Sequence, residues 1–97
     1  MAADEFTDLP EDLQAKLERI RDIVAEHGLE KLPPKLTKHI RDELWEFRLK
    51  GRDGIARAFY VTRFGHRIVV VRIIVKKTQK TPRREIELAL ARAEEVA

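Results

Sequence analysis

Cysteine and serine are both absent from this 97-residue chain. Without cysteine there is no disulfide and no thiolate metal site, and without serine there is no serine nucleophile. Long apolar runs are also missing, since the longest, Ile68–Val71, is far shorter than the ~20 residues that cross a bilayer. No G-x-G-x-x-G, P-loop or G-x-S-x-G motif occurs. The sequence therefore predicts a cytoplasmic protein that makes no membrane contact and is not a serine hydrolase.

Charge is distributed unevenly along the chain. The formal net charge is only +3, but residues 1–44 carry eleven acidic side chains against seven lysines and arginines, and residues 45–97 carry six against thirteen. Clustered cations raise the local concentration of anions and release counterions when they bind phosphates. We therefore expect the second half to bind a polyanion. A chain of this length predicts one domain, residues 1–97, so that any site lies on its single surface.

Two helices are predicted in the first half. The first begins at Pro10, where a capping residue and acidic side chains precede a run of leucine, isoleucine and valine at helical spacing, and it ends at Gly28. After a turn at "KLPPK", the spacing of Leu36, Ile40 and Leu44 predicts a shorter second helix.

The hydrophobic period then changes from about 3.6 residues to about 2, which is typical of strands. Alternation begins at Trp45, "GRDG" supplies a turn, and two more strand-like runs, Ile55–Phe64 and Arg67–Val75, flank a second turn. Thr81 and Pro82 begin a last helix. The prediction is an α+β fold with two N-terminal helices, a small antiparallel sheet of three strands and one C-terminal helix, all helices packing on one face of the sheet.

Turns with an even number of residues would fix which side chains share a face, because alternate residues of a strand point to opposite faces. In that register Lys50 pairs with Ile55, and Phe64 pairs with Arg67. The predicted core face contains Trp45, Phe47, Leu49, Ala56, Ala58, Tyr60, Phe64, Val69, Val71, Ile73 and Val75. The open face contains the cations Arg48, Lys50, Arg57, Arg63, Arg72 and Lys76.

Arg48 lies opposite Arg57 in this register, and like charges paired across strands repel each other. A compensating anion is therefore expected, either a carboxylate such as Glu46 or Glu85, or a bound phosphate. The "KKTQK" loop leaves the last strand at the same end of the sheet, which favours the phosphate, although an ordinary solvated basic face is the alternative. Apolar residues on the open face, Phe59 among them, indicate that a partner or a stacked base covers part of it.

RNA cleavage is chemistry that such a surface could perform. The 2′-hydroxyl of RNA attacks the adjacent phosphorus, so the protein must accept a proton, stabilise the phosphorane and protonate the departing 5′-oxygen. A lysine among other cations has its neutral form favoured and can act as a base, while arginine stays charged and holds the phosphate. The three histidines form no H-x-x-x-H pair, so neither a metal nor another cofactor is expected.

Three segments resemble one known family. "DELWEFR", "GIARAFY" and "IVVVRIIVKKTQKTPRREIELALAR" are similar to the HigB branch of the RelE-type toxins over roughly residues 32–96. The resemblance implies a type II toxin–antitoxin toxin, an endonuclease that cleaves mRNA in the ribosomal A site and is held inactive by a HigA-type helix-turn-helix antitoxin. It also implies a RelE-like antiparallel sheet. Members usually open with a strand, and residues 1–6 show no strand pattern, so that strand is predicted to be missing.

The resemblance also implies site residues by position. Arg48 and Arg57 match strand arginines of the family and are expected to hold the scissile phosphate. Lys76, Lys77 and Lys80 match the K-K-T-Q-K loop and are expected to transfer protons. Of these three catalytic candidates, Lys77 or Lys80 is the expected proton shuttle. RNA contact is predicted for further polar residues of the open face, the loop and the last helix: Lys50, Arg63, Arg72, Gln79, Arg83 and Arg84. A non-catalytic RNA- or ribosome-binding module that uses the same face is the alternative.

Overall fold

The computed structural model describes residues 3–52, 54–63, 67–76 and 81–96. Its elements in chain order are α1 (Ala3–Thr7), α2 (Glu11–His27), two 3-10 turns (Leu29–Lys31 and Pro34–Leu36), β1 (Thr37–Arg41), β2 (Leu44–Lys50), β3 (Ile55–Arg63), β4 (Arg67–Lys76) and α3 (Arg83–Glu94). The strands form one antiparallel sheet in the order β1-β2-β3-β4. The predicted α+β class is confirmed.

Helix α2 covers one face of the sheet. It begins after Pro10, whose fixed backbone angle suits a helix start, and it ends at Gly28, whose φ of 89° lies in the region that favours glycine. Its apolar stripe packs on alternate residues of β2 and β3, and the buried members of this core include Leu13, Leu17, Ile20, Val24, Phe47, Leu49, Ala56, Ala58 and Tyr60. Alternation predicted these buried members of β2 and β3 correctly, but Trp45 and Val75, also predicted on the core face, are 40% and 51% exposed.

Helix α3 lies on the opposite face, which differs from the one-face arrangement predicted for the helices. Ala89 and Ala93 are fully buried against a second core that contains Phe59 and Val61 of the predicted open face, together with Val71, which was predicted on the core face. The apolar residues of the predicted open face are thus covered by the chain itself. The physical reason is that these side chains offer a second apolar surface, and α3 has its own apolar stripe to bury there.

The predicted second helix is wrong. Ile40 belongs to β1, and Leu44 is the first residue of β2. A spacing of four residues fits one face of a helix, but here it spans three elements, because Leu36 ends a 3-10 turn and Ile40 and Leu44 lie on adjacent strands. Between the two strands Asp42 adopts a φ of 52°, which no regular helix contains. The sheet consequently has four strands rather than three.

The register between strands is correct at one end of the sheet and shifted at the other. Lys50 pairs with Ile55 as predicted, whereas Arg63, not the predicted Phe64, pairs with Arg67; Phe64 itself lies outside the described residues. An irregularity between Phe59 and Tyr60 restores the predicted pairing beyond it. The same shift places Ile68 and Val70 beside the α2 core, and Val69 and Val71 in the α3 core, the reverse of the predicted faces.

Helix α1 covers the edge of β4. The Glu5 carboxylate accepts a hydrogen bond from the Ile73 N–H (3.1 Å), and Arg92 of α3 donates both to Glu5 (2.9 Å) and to the Val71 carbonyl (2.9 Å). These contacts satisfy backbone groups that an edge strand would otherwise leave open. The first element that the structure describes is α1, and none of the described helices is long and apolar enough to cross a membrane.

Candidate anion-binding cleft

A basic cleft of about 320 Å³ opens where β2 ends and β3 begins. Its described lining consists of Lys35, Leu36, Arg48, Leu49, Lys50, Ile55 and Arg57. Four of these seven residues are cations, and none of the described lining residues is acidic. We call this surface the basic cleft. Its composition fits an anion better than any other class of ligand.

Two segments supply the cations. The β2–β3 pairing places Arg48 directly opposite Arg57, with the Lys50–Ile55 pair next along the strands. The 3-10 turn Pro34–Leu36 contacts β2 and adds Lys35, which is exposed. The cleft therefore combines a regular strand pair, whose geometry alternation predicts, with an irregular turn.

The turn at the end of β2 is fixed against α2. Gly51 lies so close to Leu13 that a Cβ built on it would be 2.8 Å from Leu13 Cδ2, so only glycine fits without a shift. The Arg52 N–H donates to Asp12 Oδ2 (3.0 Å), and this hydrogen bond lowers the pKa of the Asp12 carboxyl. This edge of the cleft is thus held by the helix that packs beneath it.

Glu46 compensates the two facing arginines. Arg57 Nη1 donates to Glu46 Oε1 at 2.6 Å, and Arg48 Nε lies 3.5 Å from the same oxygen. The Glu46 and Arg57 side chains are only 1% and 3% exposed, whereas Arg48 is 40% exposed. The expected role of Glu46 is confirmed, while Glu85 pairs with Arg72 instead. Arg48 is therefore the more accessible arginine, and Arg57 is held by the buried Glu46 carboxylate.

Two of the predicted RNA contacts are engaged within the fold. Arg63 donates to the carbonyls of Ala93 (2.8 Å) and Val96 (3.0 Å) at the C-terminal end of α3. A cation is stabilised there by the negative end of the helix dipole. Arg72 pairs with Glu85 (2.8 Å) and Glu5 (3.4 Å). Neither arginine lines the basic cleft. Alternation assigned both to the correct face but gave no information about their partners.

Of the predicted loop lysines, Lys76 alone lies within the described residues. Lys76 is the last residue of β4, and its backbone pairs with Ile55 of the cleft lining. The predictions for Lys77, Gln79 and Lys80 fall outside the described residues.

The two arginines at the start of α3 are both exposed. Arg83 forms an i,i+4 ion pair with Glu87 (3.3 Å), and Arg84 follows it in the first turn. Neither belongs to the described lining of the basic cleft. Their proposed contact with the RNA backbone remains a prediction.

Lys35 was missed by the sequence analysis because a 3-10 turn has no long hydrophobic period from which to read its direction. The available signal was the lysine immediately after Pro33-Pro34 in a turn close to the strand that carries Arg48. No cluster of three or more histidines, aspartates and glutamates suited to a metal occurs among the described residues.

A larger cavity, about 450 Å³, lies on the α2 side of the sheet. Its lining is Leu29, Glu30, Thr37, Trp45, Tyr60 and Thr62. Glu30 is the one charged residue in that described lining, so the cavity does not suit a phosphate despite its size. The chemistry of the lining, rather than volume, selects the basic cleft as the candidate site.

Comparison with protein families gives one match that covers almost the whole chain. The family model described as "Phage derived protein Gp49-like (DUF891)" matches residues 4–94. The chain belongs to the Gp49-like family. Gp49-like proteins form a toxin-like family of toxin–antitoxin systems. The matched range includes every residue of the basic cleft. No curated protein gives a significant match.

Proposed function

We propose that this Gp49-like protein is a type II toxin that cleaves mRNA on the ribosome, in the cytoplasm, by a metal-independent attack of the RNA 2′-hydroxyl. The observation that carries the proposal is the basic cleft, in which four cations converge and two of them, Arg48 and Arg57, face each other across a strand pair. The HigB-like segments of the sequence and the membership of the chain in a toxin-like family support the same function. A HigA-type helix-turn-helix antitoxin would be its inhibitor.

The chemistry follows from the residue types. Arg48, which is 40% exposed, contacts the scissile phosphate and stabilises the charge that develops on the phosphorane. Lys35 and Lys50 bind the backbone on either side of it. Proton transfer falls to lysines of the segment that follows Lys76, because a lysine near other cations gives up its proton more readily. DNA lacks the 2′-hydroxyl and would be bound without being cut.

A second candidate is a non-catalytic module that binds RNA or ribosomes. The 3% exposure of Arg57 favours it, because little of this guanidinium is open to a reacting phosphate and Arg48 is left as the accessible arginine. The same four cations would then give affinity without cleavage.

Cleavage on translating ribosomes distinguishes the two. Induced expression in bacteria followed by primer extension on a translated message should show cuts within codons and growth arrest. Arg48→Ala should reduce cleavage about 100-fold, the typical cost of removing one group that stabilises transition-state charge. The matched control is Arg21→Ala, an exposed arginine on α2 that lies outside the cleft lining and should leave cleavage unchanged.

Other outcomes have defined meanings. A wild-type protein that is harmless and leaves ribosome-bound mRNA intact contradicts the endonuclease proposal. Salt-dependent binding to ribosomes without cleavage favours the module. Growth that recovers when a neighbouring helix-turn-helix protein is co-expressed supports the antitoxin.

A further inference from the structure

Glu46 is an acidic side chain in the interior of a site that otherwise contains cations. We propose that Glu46 is a positioning residue that holds Arg57, and with it Arg48, in the orientation required to stabilise the reacting phosphate during cleavage. The inference rests on the proposed function of the basic cleft and adds to it a residue that does not contact the RNA itself. Glu46 is 1% exposed and is absent from the cleft lining.

The strand geometry explains why a carboxylate at this position reaches both arginines. Glu46 and Arg48 are two residues apart on β2 and therefore share a face, and Arg57 is directly opposite Arg48 on β3. Glu46 is thus the diagonal neighbour of Arg57. One oxygen, Oε1, receives the 2.6 Å hydrogen bond from Arg57 and lies 3.5 Å from Arg48 Nε.

Stability alone does not account for this arrangement. A buried ion pair is expensive to desolvate, and apolar residues of similar volume are often as stable or more so. In addition, Glu46 Oε2 is buried and has no hydrogen-bond partner among the described residues, which costs stability further. A charged pair kept at a cost beside a cationic cleft is better explained by the orientation that it imposes.

The orientation matters because arginine binds phosphate through a planar fork. Arg57 lines the basic cleft while its Nη1 is held by Glu46, so its guanidinium enters binding with few rotamers to lose. Without the carboxylate, the two facing guanidinium groups would repel each other and move apart. The site would stay cationic but lose its fixed geometry.

The first test does not depend on catalysis. Side-chain 15N NMR of the wild-type protein should show hindered rotation of the Arg57 guanidinium, and this hindrance should be lost in Glu46→Gln. Glu43→Gln is the control, because Glu43 also pairs with an arginine, Arg63, but is 51% exposed and distant in register from the cleft. An Arg57 signal that is unchanged in folded Glu46→Gln overturns the proposal.

The second test separates binding from cleavage. Glu46→Gln adds one positive charge, so its affinity for a 2′-deoxy oligonucleotide should be equal to or up to several-fold higher than that of the wild type. Its cleavage of ribosome-bound mRNA should fall about 10- to 100-fold because the arginines are no longer aligned. A purely structural role would lower both quantities together, in proportion to the folded fraction. Cleavage within threefold of the wild type in a folded variant overturns the proposal.

A double variant guards against misfolding. Glu46→Gln/Arg57→Gln leaves no uncompensated buried charge at this pair, so its stability should return toward that of the wild type while cleavage stays low. Cleavage that recovers with stability overturns the positioning role. A wild-type protein that binds but never cleaves defeats the endonuclease proposal alone, and the NMR comparison then still decides the role of Glu46.

Discussion

Tyr60 is a buried phenol in the core beneath α2. Its side chain is 2% exposed, and its ring stacks on Phe47 with centroids 3.9 Å apart. Burial raises the pKa of Tyr60 to about 12 from an ordinary value of 10.0, because desolvation disfavours the phenolate. The unfolded chain therefore ionises first as pH rises. The stability contributed by the neutral phenol is fully present below pH 10 and is lost as pH rises toward 12.

Tyr60→Phe should remove this alkaline loss. At pH 11.5 the wild type should have lost about 2 kcal/mol of unfolding free energy relative to the variant, compared with their difference at pH 9. Urea unfolding at the two pH values measures the effect. Tyr60 is the one tyrosine in the chain, so its ultraviolet absorbance gives the pKa directly. A phenol that titrates near 10 in the folded protein contradicts the prediction.

The edge of β4 depends on side chains from two helices. Burial acts to raise the pKa of Glu5, but hydrogen bonds from Arg92 and the Ile73 N–H, together with the charges of Arg92 and Arg72, hold it below its ordinary value of 4.5. A depressed carboxyl pKa stabilises the fold above the unfolded pKa, and that stability is lost as pH falls through the folded pKa. The attachment of α1 should therefore weaken in acid.

Glu5→Gln should destabilise the protein by about 1 kcal/mol at pH 7, the scale of a partly exposed charge-assisted hydrogen bond. The difference from the wild type should shrink as pH falls below 4.5. Thermal unfolding at pH 7 and pH 3 measures both effects, and amide exchange at Ile73 reports the edge itself. Asp4→Asn, an exposed residue of the same helix, is the control and should change neither. Equal exchange at Ile73 in Glu5→Gln and the wild type contradicts the prediction.

At the scale of elements, the hydrophobic period predicted correctly those segments whose spacing fits either a helix or a strand but not both. The long stripe of α2 and the strict alternation of β2 belong to this class. The β1 region does not, because its apolar spacing of four residues is compatible with helix and strand alike. The face occupied by α3 was also not predictable from alternation, which assigns residues to faces but does not say what covers each face.

The same distinction applies to the candidate site. Alternation predicted that Arg48 lies opposite Arg57, since the pairing follows from an even turn. It could not reveal that Arg57 is buried, because burial depends on segments that are distant in sequence. Lys35 could not be predicted for a different reason, because it lies in a turn that has no hydrophobic period. The loop lysines, Lys77 and Lys80, remain predictions.

At the scale of the whole molecule, cations of the second half of the chain converge with Lys35 of the first half at one end of the sheet. The acidic residues of the first half are distributed mainly along the exposed surface of α1 and α2. Binding of single-stranded RNA should thus depend on salt through the few phosphates that the cleft neutralises.

Lys35→Ala and Lys50→Ala should each reduce the slope of log K against log salt concentration by about 0.7, the value for one phosphate contact on a single strand. Fluorescence anisotropy with a 2′-O-methyl oligonucleotide measures the slope without cleavage. Arg21→Ala serves as control because it removes an equal charge from exposed α2. A slope that falls equally in all three variants shows that binding follows net charge and not the cleft.

The irregularity between Phe59 and Tyr60 has a consequence for how the family can vary. It divides the β3–β4 pair into a half that begins at the Arg63–Arg67 pair and a half that aligns Arg57, Ile55 and Lys76. A bulge accommodates one extra residue in a strand and leaves the pairing beyond it intact. We therefore expect insertions or deletions in the connection after Arg63 to leave the pairing around the cleft intact, so that homologues can differ in length there while the cleft ends of their sheets stay superimposable.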